Sequence, residues 1–136
     1  VEFVWLGIVL LVPMVWIVIS VFEVQRGAFA VSSAARAAGR AYALAPDEET
    51  GLARAREVAR FTLTDQGGDD MPLEVEVDCS LGPGNCLAGT SVITVTITSH
   101  VQLPLFPEVL RGGETGFALE SSHTVPIGQY VQGRVE

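Results

Sequence analysis

His100 and His123, Cys79 and Cys86, the serines of Ser121-Ser122-His123 and the aspartates Asp65, Asp69 and Asp70 are the residues of this 136-residue chain with chemistry to offer. The two histidines fall in separate stretches of alternating sequence. Neither has a cysteine nearby or an H-E-x-x-H spacing, so they read as exposed strand residues rather than metal ligands or an acid–base pair. The serines adjoin His123 in sequence, yet neighbours in a strand point to opposite faces and do not make a nucleophile–base pair. The three aspartates surround a Gly-Gly turn and carry oxygens of the kind Ca²⁺ takes, but their spacing follows no calcium-loop signature and a solvated turn accounts for them. No phosphate cradle or carboxylate pair stands out. The chain does not read as an enzyme, and no metal or cofactor is expected.

The cysteines are different. Cys79 and Cys86 enclose Ser80 to Asn85, whose Gly and Pro residues make a tight reversal. A metal site would want more ligands at shorter spacing, so an even pair across a turn predicts a disulfide and a domain outside the cytoplasm.

The element that must carry this domain is the apolar run from Phe3 to Phe22, with Glu2 before it and Glu23 after it. Twenty residues of helix span about 30 Å, the thickness of a bilayer core. Fourteen of them are Leu, Ile, Val or Phe, which favours insertion by roughly 4 to 8 kcal/mol before Gly7, Pro13 and Ser20 are counted against it. A cleaved signal peptide would start with basic residues and have a shorter apolar core. Pro13 removes one backbone hydrogen bond and clashes with the carbonyl of Val9, which predicts a kink or an unwound turn.

Helical sequence continues past the span, since residues 23 to 44 contain no Pro and are rich in Ala. Phe29, Ala30, Ala34, Ala37, Ala38 and Ala41 form an apolar stripe, and Ala30, Ala34, Ala38 and Ala35, Gly39, Ala43 recur at fourfold spacing. Such rows let helix backbones approach closely. The partner is either another helix of the same kind or the chain's own domain.

Asp47 is the candidate N-cap of a second helix reaching about Thr64, with Glu48 and Glu49 complementing its dipole. Its inner face is expected at Leu52, Ala55, Val58, Ala59 and Thr62. After the Gly67-Gly68 turn, residues 73 to 78 and 91 to 101 alternate apolar and polar, and the cysteine loop joins them as an antiparallel hairpin. Two prolines within residues 103 to 107 end the second strand, Gly112-Gly113 turns the chain, and a last strand runs from about Phe117 to Val125. The fold class is α+β, with the second helix packed on the sheet. The expected division is an N-terminal helix over 1–45 and an extracytoplasmic domain over 46–136.

A net charge of −8 argues against nucleic acid or anionic headgroups as the main partner. Arg26, Arg36 and Arg40 follow the span and by the positive-inside rule favour a cytoplasmic domain. The cysteines outweigh them, because Glu23 offsets Arg26 and the other two lie well past the span.

Glu2-Phe3 ahead of the apolar run, then Glu-Val-Gln-Arg-Gly-Ala from Glu23, then Ala-Ala-Arg-Ala-Ala-Gly-Arg-Ala-Tyr-Ala from Ala34, resembles the TadE-like pseudopilins of Tad (Flp) pili, relatives of type IV pilins. The likeness covers about the first 45 residues; the rest matches only in its general plan. It implies a leader removed by a prepilin peptidase, with Glu2 as the family's glutamate if a few mature residues precede Val1. It also implies single-pass residence in the cytoplasmic membrane before assembly and a surface filament afterwards. The partners would be copies of this chain, other pilins and the pilus assembly machinery. Assembly would fall to Glu2, Phe3, Pro13, Ala30, Ala34, Ala35, Ala38 and Gly39. A membrane-tethered binding or sensory module that never polymerises is the competing expectation.

Overall fold

A computed structural model describes residues 1–103 and 116–128. The chain forms α1 (Glu2–Ala43), α2 (Glu48–Asp65), β1 (Glu74–Cys79), β2 (Val92–Gln102) and β3 (Gly116–Pro126). The strands make one antiparallel sheet in the order β1-β2-β3. The architecture is α+β, with a long first helix, a second helix and a small sheet. The Gly112-Gly113 turn and the prolines Pro104 and Pro107 lie outside the described residues.

α1 runs 42 residues as one α-helix, about 63 Å. The unwound turn expected at Pro13 is absent, for the helix is uninterrupted through it. Proline removes one donor and leaves the rest of the ladder intact. The helix ends where Leu44 N–H donates to the Arg40 carbonyl (3.1 Å) and Ala45 N–H to that of Tyr42 (3.1 Å). Pro46 has no N–H with which to continue.

Asp47 then starts α2 from an extended conformation (φ −149°). Its carboxylate accepts from Thr50 N–H at 2.8 Å and from the Thr50 hydroxyl at 2.8 Å. These two bonds from Thr50 hold the Asp47 carboxyl below the usual aspartate range. The buried row of α2 is Gly51, Ala55, Ala59 and Leu63. Leu52, Val58 and Thr62, expected on the inner face, flank that row half-buried. The row is small where it must be: a Cβ at Gly51 would lie 3.1 Å from the Tyr42 ring.

The layering differs from expectation. α1 lies on β2 and β3, and α2 packs on α1, reaching the sheet only at β1. The alanine and glycine stripe of α1 is narrow enough for both neighbours to close on it. At Gly27 an added Cβ would be 2.8 Å from Leu119 and would collide with Val101; at Gly39 it would be 3.1 Å from Val125 and 3.3 Å from His123. The helix therefore presses on the sheet at two glycines about 18 Å apart.

β2 supplies the other half of the core. Ile93, Val95, Ile97, Ser99 and Val101 are buried towards the helices, whereas Thr94, Thr96, Thr98 and His100 face outward. Val92 is apolar yet exposed, because it precedes Ile93 in the alternation. The Ser99 hydroxyl donates to the Pro72 carbonyl, so its burial leaves no unmet bond.

The Asp47 cap is testable by pH. Because its folded pKa is depressed, its stabilisation is present above the ordinary value of 3.8 and is lost as the pH falls through the folded value. Asp47→Ala should lower Tm at neutral pH and Asp47→Asn should lower it less. The gap between Asp47 and Asn should close on acidification, as read by thermal melts followed by circular dichroism.

Candidate membrane-anchoring and assembly surface

The first half of α1 stands clear of the domain. Phe3 is 91% exposed, Leu10 70% and Phe22 66%, and before Glu23 only Ser20 is buried and only Trp16 half-buried. The Ser20 hydroxyl turns back to donate to the Trp16 carbonyl at 2.9 Å, so the one hydroxyl in the run is satisfied within the helix. A window of 18 residues in this helix has a mean hydropathy of 2.6, which makes it long and apolar enough to cross a membrane. So large a continuous apolar surface requires lipid or other helices around it. Glu2 sits exposed in the first turn, where a carboxylate complements the helix dipole. Phe3 is beside it, and Pro13 lies midway along the bare stretch.

The other candidate assembly residues are elsewhere. Ala30, Ala34, Ala35 and Ala38 are 0–1% exposed and belong to the chain's own core, as does the buried Gly39. They cannot touch a neighbouring copy while the domain is folded. Small residues permit close approach by any partner, and here the sheet and α2 take it. Phe29, expected in the same stripe, is 73% exposed. It lies nine residues from Ala38, half a turn around the helix. Arg36 and Arg40 share that outer side.

Two arginines have roles the sequence did not reveal. Arg26 Nε donates to the Gln66 carbonyl at 3.2 Å, at the C-terminus of α2, and Arg60 Nη1 donates to the Met71 carbonyl at 2.8 Å. Both place positive charge where helix and loop carbonyls need donors. Their partners are 40 and 11 residues away, beyond any local pattern.

The far end of the domain carries the disulfide. Cys79 and Cys86 are joined, with Cα atoms 5.2 Å apart. The loop is also held by Glu48, whose carboxylate accepts from Cys86 N–H at 2.8 Å and Gly84 N–H at 3.1 Å. Sequence suggested only a dipole role for that residue. Burial, and secondarily the Glu48 charge, raise the Tyr42 phenol above its ordinary value.

His100 is exposed on the outer sheet face. His123 is not an exposed strand residue, since it faces α1, half-buried beside Gly39. Ser121 shares that face at a separation of two residues, about 7 Å along the strand, which is beyond hydrogen-bond reach. Asp65, Asp69 and Asp70 are exposed, and among the described residues no three His, Cys, Asp or Glu side chains are grouped to hold a metal ion. No family model matches the chain, and no curated protein or solved structure matches it significantly.

Two outcomes follow from this geometry. Ala34→Leu or Ala38→Leu should overpack the junction of α1 with its own domain and lower stability by about 1–3 kcal/mol. Denaturant unfolding of detergent-solubilised protein would measure this. Reduction of Cys79–Cys86 should cost about 2.5 kcal/mol, the loop-entropy value for so short a bridge. Mass spectrometry after alkylation, with and without reductant, checks the bond itself.

Proposed function

We propose that this protein is a structural subunit, a pilin or pseudopilin, of a Tad/Flp type IV-like pilus. Its first helix anchors it in the membrane before assembly and then bundles with those of other subunits in the filament. The observation that supports this reading is the continuity of α1. A single 42-residue helix has a bare apolar first half and a second half fixed between the sheet and α2. A tether for a freely moving receptor domain needs only the span and a linker. A filament subunit needs the two parts to be one rigid body, so that packing of the apolar halves sets the positions of the domains.

Glu2 supplies the register in this scheme. At the membrane surface an ionised carboxylate is hydrated and costs little. Among apolar helices the same group costs several kcal/mol unless a cation meets it, and the α-amino group of a neighbouring subunit has the right charge. Subunits are thereby held at the one axial offset that neutralises the acid. Partners are copies of this chain and other pilins, with a prepilin peptidase and the assembly machinery acting before the filament forms.

Glu2→Ala should preserve membrane insertion and the disulfide while reducing filament yield at least tenfold. Glu23→Ala, at the other end of the apolar run, should change yield far less. Quantifying the chain in membrane and sheared fractions, with electron microscopy of the sheared material, separates the outcomes. Undiminished fibres from Glu2→Ala would remove the register mechanism, and a chain found only in the membrane would favour the tethered binding module.

A further inference from the structure

The apolar run ends at Phe22, and the next residues of α1 enter the base of the domain, so whatever opens there lies at headgroup depth if α1 spans a bilayer. The described residues line two openings there. One is a polar cavity of about 130 Å³ walled by Glu23, Arg26, Gln66, Asp70, His100 and Gln102. The other is an apolar groove of about 380 Å³, lower on α1, walled by Trp16, Ile17, Val21, Val24, Leu103 and Phe117. They adjoin at α1 residues 23–25 and at the end of β2, where Gln102 faces the first and Leu103 the second.

The polar cavity contains both signs of charge. Arg26 is pinned at its wall by the bond from Nε to Gln66, which leaves the terminal nitrogens as donors. Gly67, at φ 80°, lies against the guanidinium, and a Cβ there would collide with it. No carboxylate among the described residues pairs with Arg26, although Glu23 and Asp70 line the same cavity. A bare phosphate or an anionic headgroup would meet Arg26 but also two like charges. A headgroup with a phosphate and a primary ammonium satisfies all three, whereas a quaternary ammonium has no N–H to donate to the carboxylates.

We propose that the base of the domain is a phospholipid site. Arg26 receives the phosphate, Glu23 and Asp70 receive a primary ammonium, and an acyl chain lies in the groove beside Trp16 and Phe117. The ligand class is an aminoethanol phospholipid of the leaflet on the domain's side. The site rests on the membrane-anchoring part of the proposed function and not on polymerisation.

The full chain is reconstituted in nanodiscs containing phosphatidylethanolamine, phosphatidylglycerol or phosphatidylcholine, then extracted and weighed by native mass spectrometry. Phosphatidylethanolamine should be retained, one per chain, at least tenfold better than the other two. Arg26→Gln should reduce that retention at least tenfold, and Arg36→Gln, on the same helix outside the cavity, should not. Asp70→Asn, which leaves the Arg26–Gln66 bond untouched, should erase the preference over phosphatidylcholine and guards against a folding defect in Arg26→Gln. Equal retention of the three lipids, or unchanged retention in both cavity variants, overturns the site while leaving membrane anchoring intact. Failure of the chain to enter nanodiscs overturns both. Soluble glycerophosphoethanolamine binding as tightly as the lipid would assign the cavity to a free metabolite and overturn the bilayer assignment.

Discussion

The close approach of α1 to two different neighbours is the constraint on which the rest of the structure depends. With alanines and glycines along one side of the helix, the sheet comes in at Gly27 and Gly39 while α2 seats Gly51 against Tyr42. Each added methyl at these points meets an atom already there. The core is consequently thin and made of many small contacts, with Val31, Leu63, Ile93, Val95 and Ile97 as the largest wholly buried apolar side chains. A core of this kind cannot rely on bulk burial alone, and the remaining fastenings are polar or covalent. Asp47 caps α2, Arg26 and Arg60 close its other end, and Glu48 and the disulfide hold the hairpin loop.

That arrangement divides the first helix functionally. The second half is consumed by the chain's own fold, and any contact that copies make through this helix must use the bare apolar half or the outer side that carries Phe29, Arg36 and Arg40. In a filament the apolar halves would therefore provide adhesion, and the domains would follow wherever the rigid helix carries them.

Much of this was legible in the sequence because it depends on neighbours close along the chain. The apolar run, the Asp47 cap, the alternation of β2 and the cysteine reversal are local patterns, and each produced the element expected of it. Packing partners were less legible. The row from Ala30 to Gly39 signals close approach but not by whom, since a helix and a sheet ask for the same absence of side chain. The positions of Phe29 and Val92 are decided by phase within an element, where one residue's shift changes inside for outside. Glu48 and Arg26 bind backbone groups 36 to 40 residues away, and a backbone partner has no residue type to leave a mark in the sequence.

The two glycine contacts on the sheet also make the domain mechanically directional. Val101 and Leu119 sit over Gly27, and Val125 and His123 sit over Gly39, like teeth in two notches of the helix. A pull along the axis of α1 loads these contacts in shear, and a slip of one residue, about 1.5 Å with a rotation of about 100°, would carry side chains of the helix into the teeth. Peeling the helix away from the sheet meets no such obstruction. Tension applied through the N-terminal end of α1 thus acts along the direction in which helix and sheet are keyed together.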